Sequence, residues 1–232
     1  MDSLLVGHLK KQERITVADQ IYTDIRQLLM SGTLPPGEKI TLRGLAKVLE
    51  TSPMPVREAV NKLVAEGALE MLPNRTLCVP KPTLSKFKEI VRIRCCLEGF
   101  AAAEASKIIL DETIEKIEAY AYEFDQLGHE LNIDTAKTIE ANRKLHFCLY
   151  EAAQMPLLLG MIENIWLQIS PLFSLSMSSE LRKSGTWESF RHHDSLLEAL
   201  KDRNTEKVRK AIIADISDAA LFIEKTGNLP NT

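Results

Sequence analysis

The segment Ser52-Pro53-Met54-Pro55-Val56-Arg57-Glu58-Ala59-Val60-Asn61-Lys62-Leu63-Val64-Ala65-Glu66-Gly67 fixes both ends of a short helix. Ser52 suits an N-cap. Pro53 suits the first helical position, where a missing N–H loses no hydrogen bond. Val56, Val60, Leu63 and Val64 form the inward face, and Gly67 supplies the stop. Arg57 is left pointing outward in the first turn. Directly afterwards, Leu69–Leu72 and Leu77–Val79 flank the turn Pro73-Asn74-Arg75-Thr76, which reads as a two-stranded hairpin. A sharp-starting helix with an exposed arginine, followed at once by a hairpin, is the layout of the recognition helix and wing of a winged helix-turn-helix.

The flanking sequence agrees. Ala18 to Met30 reads as a helix with Ile21, Ile25, Leu28 and Leu29 on one face, stopped by Leu34-Pro35-Pro36-Gly37-Glu38. Thr41 caps a second helix, Leu42 to Leu49. Residues 1–16 are polar and unpatterned and are expected to form a flexible arm. Residues 17–80 form the winged domain, and Pro80-Lys81-Pro82 begins a stiff linker over 81–83. Beyond it nothing reads as strand. Six helical stretches, roughly 84–109, 111–127, 134–153, 156–176, 187–200 and 205–225, are joined by short polar connections. That pattern implies an antiparallel six-helix bundle over 84–226, and a mainly α chain as a whole.

Bulk charge does not advertise a nucleic-acid partner: the net charge of 232 residues is -3. Residues 1–80 hold 10 Lys and Arg against 9 Asp and Glu, and the remainder is acidic. Basic groups that touch DNA must therefore cluster on one surface. Arg43 stands in the first turn of the second helix and Arg57 in that of the third, while Arg75 sits at the wing tip. Lys47 and Lys62 can add phosphate contacts, and Ser52 and Met54 stand at the start of the recognition helix. A recognition helix reads the major groove with its N-terminal residues, so Arg57 can reach guanine or a phosphate.

The bundle carries polar residues where core is expected. Ile139, Asn142, His146, Leu149 and Ala153 share one helical stripe. Phe190, His193, Leu197 and Leu200 share another, and Val208, Ala211, Asp215, Ala219 and Phe222 a third. Burying Asn142, His146, His193 and Asp215 costs several kcal/mol unless they are paired. Two arrangements satisfy them: a hydrogen-bonded core pair of His with Asp, or a common site for a divalent cation such as Zn²⁺, Ni²⁺ or Mn²⁺. His192 lies one residue off the stripe and is read as solvated. Arg94 lies on the apolar face of the first bundle helix and needs a carboxylate, supplied by Glu98 at i+4 or by an acidic ligand.

Cys78, Cys95, Cys96 and Cys148 match no zinc spacing and read as small buried thiols of a reducing compartment. The N-terminal residues lack a signal layout, and the apolar run Met155–Ile162 is too short to span a bilayer, so a cytoplasmic protein without a membrane partner is expected. No glycine-rich phosphate loop, nucleophile elbow or HExxH motif is present, which argues against an enzyme.

Three stretches resemble the DNA-binding domain of GntR-family bacterial transcription regulators: Leu34-Pro35-Pro36-Gly37-Glu38-Lys39-Ile40, Leu45-Ala46, and Pro55 to Gly67. Ile93-Arg94 with Leu97-Glu98, Asn142 to His146, and His193 with Leu196 to Leu200 are similar to the helical effector domain of the FadR subfamily. Six bundle helices point to its VanR-like branch. The resemblance implies a homodimer that binds a palindromic operator in double-stranded DNA, usually as a repressor. It also implies a small effector, often a carboxylate, held in the bundle near Arg94, Asn142, His146 and His193. In many members a metal held by one aspartate and three histidines accompanies it. Here the usual aspartate falls at Asn142 and the third histidine at Asp215, which keeps one carboxylate and predicts weaker metal affinity. Pro53 replaces the usual arginine of the recognition helix and Thr76 the wing-tip glycine, which implies a departure from the usual operator. Two competing functions remain open on the residues: a metal-dependent enzyme built on the bundle, or a metal or small-molecule sensor that acts through a protein partner.

Overall fold

A computed structural model describes residues 15–177 and 187–231. The larger part of the expected arm, residues 1–14, lies outside them. Thr16 at its end belongs to the fold: it caps helix α1 (Val17–Met30) in a reciprocal box with Asp19, whose backbone N–H donates to the Thr16 hydroxyl at 3.1 Å. Strand β1 (Lys39–Ile40), α2 (Leu42–Val48), α3 (Pro53–Ala65), β2 (Glu70–Met71) and β3 (Leu77–Cys78) complete the head. The head core is Ile21, Ile25 and Leu29 of α1 against Val56, Ala59, Val60 and Leu63 of α3. Glycine is required where α3 stops: Gly67 has φ +71°, and the next N–H, of Ala68, reaches back to the Leu63 carbonyl at 2.9 Å.

The wing is not a free two-stranded hairpin. β3 runs in the middle, antiparallel to β2 on one side and to β1 on the other, with Lys39 opposite Cys78 and Glu70 also opposite Cys78. β1 anchors the wing root to the segment before α2. Two-residue strands carry too little alternation to be read from sequence.

Six helices follow: α4 (Leu84–Ile108), α5 (Asp111–Gly128), α6 (Thr135–Glu151), α7 (Pro156–Met177), α8 (Glu188–Lys201) and α9 (Thr205–Thr226). α9 packs along α4 and α8, and α5 lies on α6. The bundle core centres on Trp166, Tyr150, Phe87 and Phe124, each fully buried. α7 is long and apolar enough to cross a membrane by length and composition, with mean hydropathy 1.2 over 21 residues, yet half of that stretch is buried inside the protein. It is the bundle's core helix, and its apolar stretch runs well past Ile162.

The head rests on α7. Arg26 of α1 donates to Glu163 at 2.9 Å, and the Gln168 amide donates to the carbonyl of Glu66, the α3 C-cap, at 3.1 Å. Of the cysteines, Cys78 is buried, Cys95 and Cys148 are half-buried and Cys96 is exposed, so the expectation of buried thiols fails at Cys96.

Candidate functional site

Arg43, Lys47, Arg57 and Arg75 are all exposed, and none has an ion-pair partner among the described residues. Arg43 stands in the first turn of α2, whose start is set by the Thr41 hydroxyl accepting from Gly44 N–H at 3.0 Å. Arg75 takes φ +62° in the wing turn, where its N–H donates to the Leu72 carbonyl at 2.8 Å. Lys62 is a correction: it donates to Asp19 at 2.7 Å and sits over the Tyr22 ring, so it is already paired within the head.

The start of α3 has an unusual set of donors. Ser52 is its N-cap, but the serine side chain makes no capping bond. The prolines explain this: Pro53 and Pro55 occupy the first and third helical positions, and neither has an N–H to give. Two of the four free donors of the helix end are missing. The Ser52 hydroxyl is left available, and Met54 projects beside it with 72% of its surface exposed.

The bundle interior holds the second candidate site. Arg94 and Glu98, one turn apart on α4, are 4% and 0% exposed. Arg94 Nε donates to Glu98 Oε1 at 2.6 Å and Nη2 to Oε2 at 3.2 Å. The guanidinium lies over the Trp166 ring at 4.9 Å. Burial works against the Arg94 charge, but Glu98 outweighs it and the pKa is raised. Of the two expected carboxylate partners, Glu98 is therefore the one present, while the guanidinium still forms part of a cavity wall. Glu98 Oε2 also accepts from Tyr150 Oη at 2.7 Å and Trp166 Nε1 at 2.9 Å. Neither partner was legible in the sequence.

This network sets the proton on His146. Burial, and then the Glu98 charge, pushes the Tyr150 hydroxyl pKa well up, so it keeps its single proton. Tyr150 donates that proton in its hydrogen bond to Glu98 Oε2. The Tyr150 oxygen, 2.9 Å from His146 Nδ1, must then accept from it, which places the ring proton on Nδ1. His146 Nε2 is left with a lone pair, buried and without a hydrogen-bond partner, 3.2 Å from Asp215 Oδ2. Two acceptors face one another at contact distance, and a cation or a second proton must separate them.

His193 completes the set. Both its ring nitrogens are buried without a hydrogen-bond partner, and Nε2 is 3.9 Å from Asp215 Oδ1, itself unpartnered. Burial pushes the His193 pKa down to about 4, with Asp215 opposing and His146 adding to the fall. Burial works to raise the Asp215 pKa, but His146, His193 and the Ser189 hydroxyl outweigh it and hold the carboxyl ionised. One ligand atom from each of His146, His193 and Asp215 lies within 4.8 Å of the others. Two imidazoles and a carboxylate with unpartnered buried acceptors suit a divalent cation. Asn142, half-buried, lines the same cavity of about 30 Å³. That is room for an ion or a single water.

All four polar stripe residues therefore border or enter one interior site. His192 is not solvated: its Nε2 lies 2.6 Å from Asp218 Oδ2, and with Glu188 it forms a second, more exposed ligand group at the rim.

Tyr150→Phe removes the group that fixes the His146 tautomer while leaving every candidate ligand in place. Cation affinity is expected to fall by roughly 10–100-fold, the usual cost of losing an outer-shell partner. Competition for Zn²⁺ against a chromophoric chelator measures this, and unchanged affinity would remove Tyr150 from the site.

A winged head with exposed basic side chains on α2, α3 and the wing, joined to a helical bundle with a polar interior site, defines a ligand-responsive DNA-binding transcription regulator. The chain belongs to the gntR family of bacterial regulatory proteins, FCD-domain branch: the family's DNA-binding domain matches residues 17–79, and the FCD domain matches residues 89–218, more than half the chain. It is similar to the HTH-type transcriptional regulator McbR of Escherichia coli K12, 29% identical over 206 residues that cover 87% of this chain and 90% of McbR. A solved structure of E. coli McbR/YncC superposes with TM-score 0.82 at 27% identity, covering 93% of this chain and all of that one. The HTH-type transcriptional repressor RspR of E. coli K12 is 23% identical over 87% of this chain and 86% of its own length. A GntR regulator structure from Rhodococcus, at TM-score 0.72 and 17% identity over 90% of this chain and 97% of that one, agrees in fold. These relatives are regulators, and the enzyme reading is set aside.

Proposed function

We propose that the chain is a dimeric repressor in the cytoplasm, whose residues 17–80 bind a palindromic operator and whose residues 84–226 sense a small carboxylate together with a divalent cation. One observation supports the sensing half: in a buried interior His146 Nε2, without a hydrogen-bond partner, lies 3.2 Å from Asp215 Oδ2, and Asp215 Oδ1 and both His193 ring nitrogens are likewise unpartnered. His146, His193 and Asp215 would hold the cation, with Asn142, on the wall of the adjoining cavity, the fourth candidate ligand. Such a cation supplies the missing charge and a Lewis-acidic position for a carboxylate oxygen. Arg94, on the same wall, adds a second positive group. The cavity is too small for a metabolite, so effector entry must displace its walls.

For the head, support comes from four exposed cations on α2, α3 and the wing without ion-pair partners among the described residues. The repressor role follows RspR, whose name describes a repressor. Dimerisation would place two heads on the two halves of a palindrome. Elemental analysis of the purified protein tests the sensing half, read beside His146→Ala/His193→Ala. Wild type is expected to carry close to one Zn²⁺, Ni²⁺ or Mn²⁺ per chain and the double variant almost none. Equal metal in both would place the ion elsewhere, with the Glu188, His192 and Asp218 group the next to vary.

A further inference from the structure

The buried side chains of α3, Val56, Ala59, Val60 and Leu63, fix which way the helix faces. Met54, Arg57, Glu58 and Asn61 lie on the opposite side at helical spacing, and all four are exposed. Arg57, Glu58 and Asn61 carry charged or polar heads. Met54 alone on this side is apolar, and 72% of its surface is open. A single exposed apolar side chain is ordinary on a protein surface. Position singles Met54 out: it stands in the first turn of α3, on the side a recognition helix turns toward the major groove, where N-terminal residues meet the base edges.

Its neighbours sharpen the chemistry. Pro53 is exposed and Pro55 half-buried, so the first three side chains of α3 offer no hydrogen-bonding group beyond the Met54 thioether, a weak acceptor. Guanine, adenine and cytosine present only donors and acceptors in the major groove; thymine adds an apolar 5-methyl group. A methionine laid on a donor or acceptor strips it of water and returns no hydrogen bond, which costs binding. Laid on the methyl, it buries two apolar surfaces together. Attraction to one base and a penalty against the other three is how a contact discriminates.

We propose that Met54 reads the 5-methyl group of a thymine in the operator. The proposal rests on the placement of α3 in the major groove with Arg57 toward the bases. Met54 and Arg57 are one turn apart, about 4.5 Å along the helix axis, against about 3.4 Å per base pair. The thymine therefore falls within about two base pairs of the base that Arg57 contacts.

The test uses the full chain and the DNA that wild type selects from a random pool. Each thymine of that DNA is replaced in turn by uracil, which pairs in the same way and lacks only the methyl. DNA Kd is measured for wild type, Met54→Ala and Arg57→Ala. At one thymine of each half-site, uracil should weaken wild type about fourfold, the worth of one buried methyl. Met54→Ala should melt as wild type does, because the side chain is exposed, and should bind the thymine and uracil forms alike at that position. A uracil effect that persists in Met54→Ala overturns the proposal, since the methyl is then felt by another side chain or through the shape of the duplex. So does an effective thymine half a helical turn or more from the base that Arg57→Ala ceases to prefer. Arg57→Ala that narrows the gap between selected and random DNA, while every uracil is silent in wild type, overturns the thymine assignment alone. Wild type that selects no sequence from the pool overturns the groove placement and the assignment together.

Discussion

Glu98→Gln is expected to lower the melting temperature by roughly 6–20 °C, the largest effect of any single change in the bundle. Glu98 is fully buried and is the carboxylate that holds the Arg94 guanidinium, through two hydrogen bonds; it also accepts from Tyr150 and Trp166. Glutamine leaves the arginine charge uncompensated in a closed interior, at a cost of about 3–5 kcal/mol for a broken buried ion pair. It also turns an amide N–H₂ toward groups that are themselves donors. The pair as a whole is worth far less, because two desolvated ions gain little over well-packed apolar groups. Arg94→Leu/Glu98→Met should therefore recover much of the lost stability while abolishing the fixed tautomer of His146. Calorimetric melting of the two variants separates these contributions. A single variant that melts within about 2 °C of wild type would mean that water reaches Arg94 and that the network is not isolated.

Arg57→Ala is expected to weaken operator binding by about 1–3 kcal/mol, roughly 5–150-fold, if the guanidinium makes a bidentate contact to a base. Two variants make the assignment specific. Lys47→Ala, at the position we assign to phosphate contact, should weaken operator and random DNA alike and reduce the salt slope by about one. Arg57→Ala should instead narrow the gap between operator and random DNA. Gel-shift titrations at two salt concentrations distinguish the cases, and equal losses on both DNAs would make Arg57 a phosphate contact. The prolines beside it enlarge its expected share: neither Pro53 nor Pro55 offers a charged group, so the proposal leaves charged readout to Arg57, Arg43 and the wing around Arg75.

Much of this was legible because helices announce themselves at two ends and along one face. Ser52 with Pro53, Thr41 and Gly67 marked boundaries within a residue or two, and the 3.6-residue spacing of His146, His193 and Asp215 put all three inside. Spacing on one helix says nothing about which residue of another helix comes near. Tyr150, one turn beyond His146, reads as ordinary apolar core, and its tie to Glu98 across 52 positions follows only from packing. Trp166 was hidden in the same way. Pairing also explains the misreadings at Lys62 and His192: a charged or polar residue on an outer face looks solvated until its partner from a distant helix, Asp19 or Asp218, is placed beside it. β1 escaped notice because it is two residues long and exists only through β3.

Pro53 and Pro55 have a thermodynamic consequence beyond the donors they withhold. Each ring locks one backbone angle near its helical value before the chain folds. The leading edge of α3 therefore enters the groove already formed. The heat capacity of DNA association should then reflect only the surfaces that meet, without the large negative contribution of a segment that orders on contact.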